Sequence, residues 1–128
     1  MDRARGEIEA AGASLVFIGQ LSPRHAAQFK CRQELSSPVL ADEQRASYKA
    51  AGAKIATLRE LVGPKMLAKG TSLSARTGLR QTRTLGHPAQ LGGAMAISPD
   101  GEVAWSHMAE DASDNATPDE VLAAIHAL

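Results

Sequence analysis

Cys31 is the one residue of this chain that could serve as a thiol nucleophile or a soft metal ligand. A single cysteine forms no internal disulfide framework. Ala27, Cys31 and Leu35 fall at i−4, i and i+4 of a helix expected from Ser22-Pro23 to about Glu34. That spacing lays them on one apolar stripe, and a cysteine in such a stripe behaves as a small hydrophobe. Lys30 and Arg32 flank it in sequence but point to other sides of the helix. The expectation is a buried packing cysteine that reacts slowly, with a redox or dimer-forming thiol as the alternative. His25, His87, His107 and His126 lack ligand spacing with each other or with Cys31, so no metal site is expected. Each reads as a surface or half-buried histidine. Lys65, Lys69, Arg76, Arg80 and Arg83 offer charge with no aromatic residue between them, which is not a nucleic-acid surface.

The elements that must position these residues alternate between two periods. Asp2 to Ala11 is helix-like, with Ile8 its one large apolar residue, and Gly12 stops it. Ser14-Leu15-Val16-Phe17-Ile18 is a continuous apolar strand of the kind covered on both faces. Gly19-Gln20-Leu21 leads into the Ser22-Pro23 helix, with Ser as cap and Pro in the first turn. Pro38-Val39-Leu40-Ala41 is a short strand, and Asp42 caps a helix carrying Ala46, Tyr48 and Ala50 that Gly52 ends. Thr57-Leu58-Arg59-Glu60 is a capping box, and Gly63-Pro64 interrupts the helix that follows. Residues 71–90 read as a long loop.

Residues 91–127 are the most informative stretch. A glycine-entered apolar run, Leu91 to Ile97, meets a turn at Pro99-Asp100-Gly101, where Pro presets φ and Gly takes positive φ. Glu102 to Met108 alternates, with Val103, Trp105 and His107 on one face. Thr117-Pro118-Asp119-Glu120 opens a helix with a capping box, and Val121, Leu122, Ile125 and Leu128 give it an apolar stripe. Two strand–helix units followed by a ββα unit make an α/β order, with parallel crossovers and then an antiparallel pair.

Composition bounds the rest. The 128 residues suit one domain. Of the 44% hydrophobic residues nearly half are alanine, so the core must pack Leu, Val, Ile and Met on thin alanine faces. Net charge is zero, yet residues 61–99 hold no acid and residues 100–128 no Lys or Arg. No apolar run reaches the ~20 residues that cross a bilayer, and no signal-peptide pattern opens the chain. A cytoplasmic protein is the expectation.

Three stretches together resemble the peroxiredoxin-like alkyl hydroperoxide reductase and thiol-specific antioxidant (AhpC/TSA) family. They are Gly12 to Gly19 running into the Ser22-Pro23 helix, Pro38 to Asp42 followed by Tyr48 and Gly52, and Gly92-Gly93 through Pro99-Asp100-Gly101 to Trp105. The resemblance implies a single thioredoxin-like domain over 1–128. It would be a three-layer sandwich with a mixed sheet, a C-terminal ββα unit and a loop-rich insert at about 53–90. It also places Gly19, Gln20, Leu91 and Gly92 in substrate-facing loops and implies no bound cofactor.

The chain departs from that pattern at one point. Family members resemble one another in a strand followed by a reactive cysteine at a helix N-terminus, where the helix dipole favours the thiolate. Here Met1 falls inside that helix, and the strand and thiol have no counterpart. The expectation is a family member lacking its central N-terminal strand and inactive as it stands, or else a non-catalytic thioredoxin-fold binding module. A full-length active form would use a thioredoxin- or glutathione-type reductant. Unpaired strand edges invite homo-oligomers. No nucleic-acid or membrane partner is expected.

Overall fold

A computed structural model describes residues 1–55 and 89–128. The capping box at Thr57–Glu60, the Gly63-Pro64 interruption, the five basic residues from Lys65 to Arg83, His87 and most of the expected insert lie outside the described residues.

The chain opens with a 3-10 turn at Asp2–Ala4 and continues into α1, Arg5–Ala10. Gly12 takes φ +83° just beyond it, the left-handed position that favours glycine after a helix. Strand β1 is Phe17–Gly19, shorter and later than the apolar run suggested. Helix α2 is Pro23–Arg32. The Ser22 Oγ accepts the His25 backbone N–H at 3.3 Å, so the expected cap and first-turn proline are both in place. Strand β2 is Val39–Ala41 and α3 is Ala46–Ala50. Arg45, in the left-handed region, forms the α3 N-cap position. The Asp42 carboxylate nonetheless accepts the Ala46 and Ser47 N–H groups, both at 2.9 Å.

β1 and β2 run parallel, with Phe17 beside Val39, Ile18 beside Leu40 and Gly19 beside Ala41. The hairpin pairs β3, Gly93–Ile97, with β4, Val103–Met108, and a bulge falls between Ala96 and Ile97. Its turn is closed by Gly101 N–H to the Ser98 carbonyl at 2.9 Å, with Gly101 at φ +91°. Helix α4, Pro118–His126, carries the complete capping box: Glu120 N–H to Thr117 Oγ1, and Thr117 N–H to Glu120 Oε2. Among the described residues the two strand pairs form separate ladders, and residues 1–12 contribute no strand.

The core joins the two ends of the chain. Ile8 is 1% exposed and packs with Ala4 and Val121; Leu15, Ala94, Trp105, Leu122 and Ile125 close around them. Asp2 adds a polar tie across 35 positions. Its carboxylate accepts the Ser36 and Ser37 N–H groups at 3.2 and 3.1 Å and the Ser37 hydroxyl at 2.6 Å. Ser37 is fully buried. These bonds, the Ser37 hydroxyl first, hold the Asp2 carboxyl below the usual carboxylate range.

The expected burial of Cys31 is corrected: it is exposed. Ala26 is the residue of α2 that is buried, while Ala27 and Cys31 lie on the open side. The packed face of α2 is set by Ala26, about 100° round the helix from Ala27, so the Ala27–Cys31 row turns outward. The helix ends at Arg32, Glu34 takes φ +51°, and Leu35 N–H folds back to the Lys30 carbonyl. Leu35 lies past the helix end and is part-buried, whereas Ala27 and Cys31, inside the helix, are exposed.

Candidate functional site

The Gly19–Gln20 loop follows β1 directly. Its backbone is held by α3 and β2. The Tyr48 hydroxyl donates to the Ile18 carbonyl at 2.9 Å and takes the Gln20 backbone N–H. The Gly19 carbonyl accepts from Leu21 N–H and Asp42 N–H, both at 2.8 Å. Half-burial raises the Tyr48 phenol above its ordinary value, and the Asp42 charge pushes the same way. Tyr48 is thus a neutral pin on this loop, a role that its sequence context does not disclose.

The Leu91–Gly92 loop is fixed by Gln90. Its Nε2 donates to the carbonyls of Ala53, Lys54 and Leu91 at 3.0–3.3 Å, and its Oε1 accepts from Arg45 Nη1. Leu91 N–H bonds the Lys54 carbonyl, and Ala109 N–H bonds the Gly92 carbonyl. The Leu91 side chain is turned inward against Ala109, 5% exposed, so only Gly92 of this pair is open to solvent. The described ends of the expected insert meet at a bridge between Ile55 and Gln90. Sequence reasoning missed Gln90, because one amide serving three carbonyls leaves no local pattern.

Cys31 belongs to neither loop. It lies in the last turn of α2, eight residues beyond Pro23, or about 12 Å along the axis at 1.5 Å per residue. Its helix starts just after Gln20 and carries it away from that end.

A second polar cluster lies at the other end of the chain. His107 Nε2 is 2.9 Å from Asp114 Oδ1, and the Trp105 and His107 rings stack with centroids 6.3 Å apart. Asp114 Oδ2 accepts Glu110 N–H at 2.8 Å. That bond first, and His107 after it, lower the Asp114 carboxyl. Through the His107 contact and the Glu110 N–H bond, Asp114 fastens the loop between β4 and α4. Among the described residues no group of three or more His, Cys, Asp or Glu could hold a metal ion, and no helix is long and apolar enough to cross a membrane.

A parallel strand–helix–strand unit followed by a ββα unit, with short strands between helices, defines an α/β domain of the thioredoxin-like class. A family model described as the AhpC/TSA antioxidant enzyme matches residues 2–111, and the chain belongs to that family. No curated protein matches the chain, and no solved structure does.

Proposed function

We propose that this chain is a peroxiredoxin-like thiol oxidoreductase domain, a single unit over 1–128. It supplies the frame and the substrate-facing loops, Gly19–Gln20 and Leu91–Gly92, but not the nucleophile. The position of Cys31 carries this reading. Peroxide reduction needs a thiolate sulfur that can reach the peroxide oxygen, forming a sulfenic acid as water or an alcohol leaves. The chain's one thiol stands in the last turn of α2, about 12 Å from the first turn beside Gln20. The helix N-terminus, which favours a thiolate, is at the opposite end.

In this reading the two ladders are parts of one three-layer sandwich, with a central strand position between β1 and β3. The element order supports it, together with a helical 1–12 and ladders that stay separate among the described residues. A thioredoxin- or glutathione-type reductant would recycle a complete site, and unpaired strand edges would associate. The exposed apolar residues Val16, Ile18 and Leu40 favour a second reading, a thioredoxin-fold module that binds and does no chemistry.

Peroxide consumption with thioredoxin or glutathione recycling tests the first reading. The expected rate equals that of buffer. Consumption above buffer that Cys31→Ser abolishes would make Cys31 the catalyst and overturn the proposal. Reading the coding DNA upstream of Met1 separates the two alternatives. An in-frame strand and a cysteine motif support the oxidoreductase, and their absence supports the binding module.

A further inference from the structure

We propose that the outer edge of β2 docks a second copy of this chain, antiparallel, about a two-fold axis through Leu40. The inference rests on the association part of the reading above and is independent of the redox part.

The first support is an open strand edge. On its inner side β2 receives Phe17 N–H at the Pro38 carbonyl and gives Asp42 N–H to the Gly19 carbonyl. Strand groups alternate sides, so the Leu40 groups also face β1, and the N–H and C=O of Val39 and Ala41 point outward. Among the described residues β2 has no neighbour on that side. Val39, Leu40 and Ala41 carry no charge or bulge, and the guards this edge does have are its shortness and Pro38 just before it.

The second support is the register that the edge allows. A two-fold axis at Leu40 sets Val39 opposite Ala41 of the other copy. Each such pair exchanges both N–H···O bonds, and the Leu40 residues meet as a non-hydrogen-bonded pair about 4.5 Å apart at Cα. Leu40 is 52% exposed and its ladder partner Ile18 is 47% exposed. Pairing covers the Leu40 side chains with each other, the cross-strand contact that stabilises sheets.

The third support is charge. A groove runs along this edge between β2 and α2, walled by Pro23, Ala26, Ala27 and Lys30. A second, separate hollow shares Pro23 and Ala41 with it and is lined by Glu43. Alanines keep the wall thin. Lys30 stands at one end and Glu43 at the other, and neither forms an ion pair among the described residues. The neighbouring Asp42 is already engaged by Ala46 and Ser47. A two-fold axis exchanges the ends, so each Lys30 comes to the Glu43 end of the other copy. The surface complements itself, as an isologous interface must.

Sedimentation equilibrium of the full chain, with circular dichroism to verify folding of each variant, tests this. The expected result is a reversible dimer with Kd on the order of 10–100 µM, as suits a small seam. Leu40→Lys places two like charges at the axis. Ala41→Pro deletes an N–H that serves only the outer edge. Each weakens the dimer about tenfold or more. Lys30→Glu alone and Glu43→Lys alone also weaken it, and the Lys30→Glu/Glu43→Lys double variant restores it. Leu40, Lys30 and Glu43 are surface positions, so the test stands even if Ala41→Pro does not fold. A chain that stays monomeric to about 1 mM overturns the proposal. So does a dimer indifferent to Leu40→Lys and the charge exchange. Peroxide turnover does not enter, so the redox reading can fail without touching this result.

Discussion

At the scale of single residues, Tyr48 and Cys31 exchange the roles that their types suggest. The thiol, the usual bearer of chemistry in this family, sits exposed at the far end of α2. The phenol, part of one of the stretches through which the chain resembles its family, holds the loop after β1. Tyr48→Phe keeps the ring and removes both bonds of the hydroxyl. It should cost about 1 kcal/mol, the net worth of a typical hydrogen bond, and it leaves the Ile18 carbonyl and Gln20 N–H to find water. Amide exchange at Gln20 should speed up in this variant while amides of the hairpin do not change. Equal acceleration everywhere would show a general loss of stability and not a pinned loop. For Cys31, exposure predicts stoichiometric labelling by a thiol reagent in native buffer. Cys31→Ala should then shift stability by less than about 0.5 kcal/mol, as surface changes do. Labelling that requires denaturant would contradict the exposure.

At the scale of elements, the local rules written into caps and turns are those that govern the chain. The α4 capping box is the clearest case. Thr117→Ala removes the acceptor for Glu120 N–H and the hydroxyl that donates to the Glu120 carboxylate, leaving only the backbone N–H of residue 117 on that carboxylate. The expected loss is about 1 kcal/mol, read as a lower denaturant midpoint with an unchanged slope. Thr117→Ser should recover most of it. The hairpin turn, the Ser22 cap, the Gly12 stop and the Asp42 carboxylate were all legible in the sequence, because each is decided within five residues. The exposure of Cys31 was not legible, because the apolar spacing did not show that α2 packs through Ala26 and not through the row of Ala27 and Cys31. Leu91 and Gln90 escaped for a related reason. Their partners, Ala109 for the one and Ala53, Lys54 and Arg45 for the other, are distant in sequence. Nor did the apolar run at 14–18 show that pairing would begin only at Phe17. Register depends on β2, a separate segment that offers three residues.

At the scale of the whole molecule, a small core leaves much to polar ties between distant segments. Ile8 is the one large side chain fully buried among the described residues, and the alanines around it contribute little apolar area each. Asp2 matters for that reason: its carboxylate binds the turn that opens the chain to the Ser36–Ser37 segment leading into β2. The sign of its pH effect follows from its depressed pKa. Above the unfolded carboxyl value, about 3.9, the charged form is present in both states, and the folded state gains from the Ser37 and Ser36 bonds. As pH falls below that value the unfolded chain takes up the proton first. The gain shrinks until pH passes the folded value, where it is gone. Asp42 and Asp114 are lowered as well, so all three lose their contribution in the same acid window. Asp2→Asn keeps the shape but replaces the charged acceptor with a neutral amide. Urea midpoints measured from pH 6 down to pH 2 should show wild type falling steeply below about pH 4. The Asn variant should start lower and fall less, and the two should converge at the acid end. Parallel curves with a constant gap would mean that Asp2 contributes through packing alone, and the electrostatic tie between the chain's first turn and β2 would be refuted.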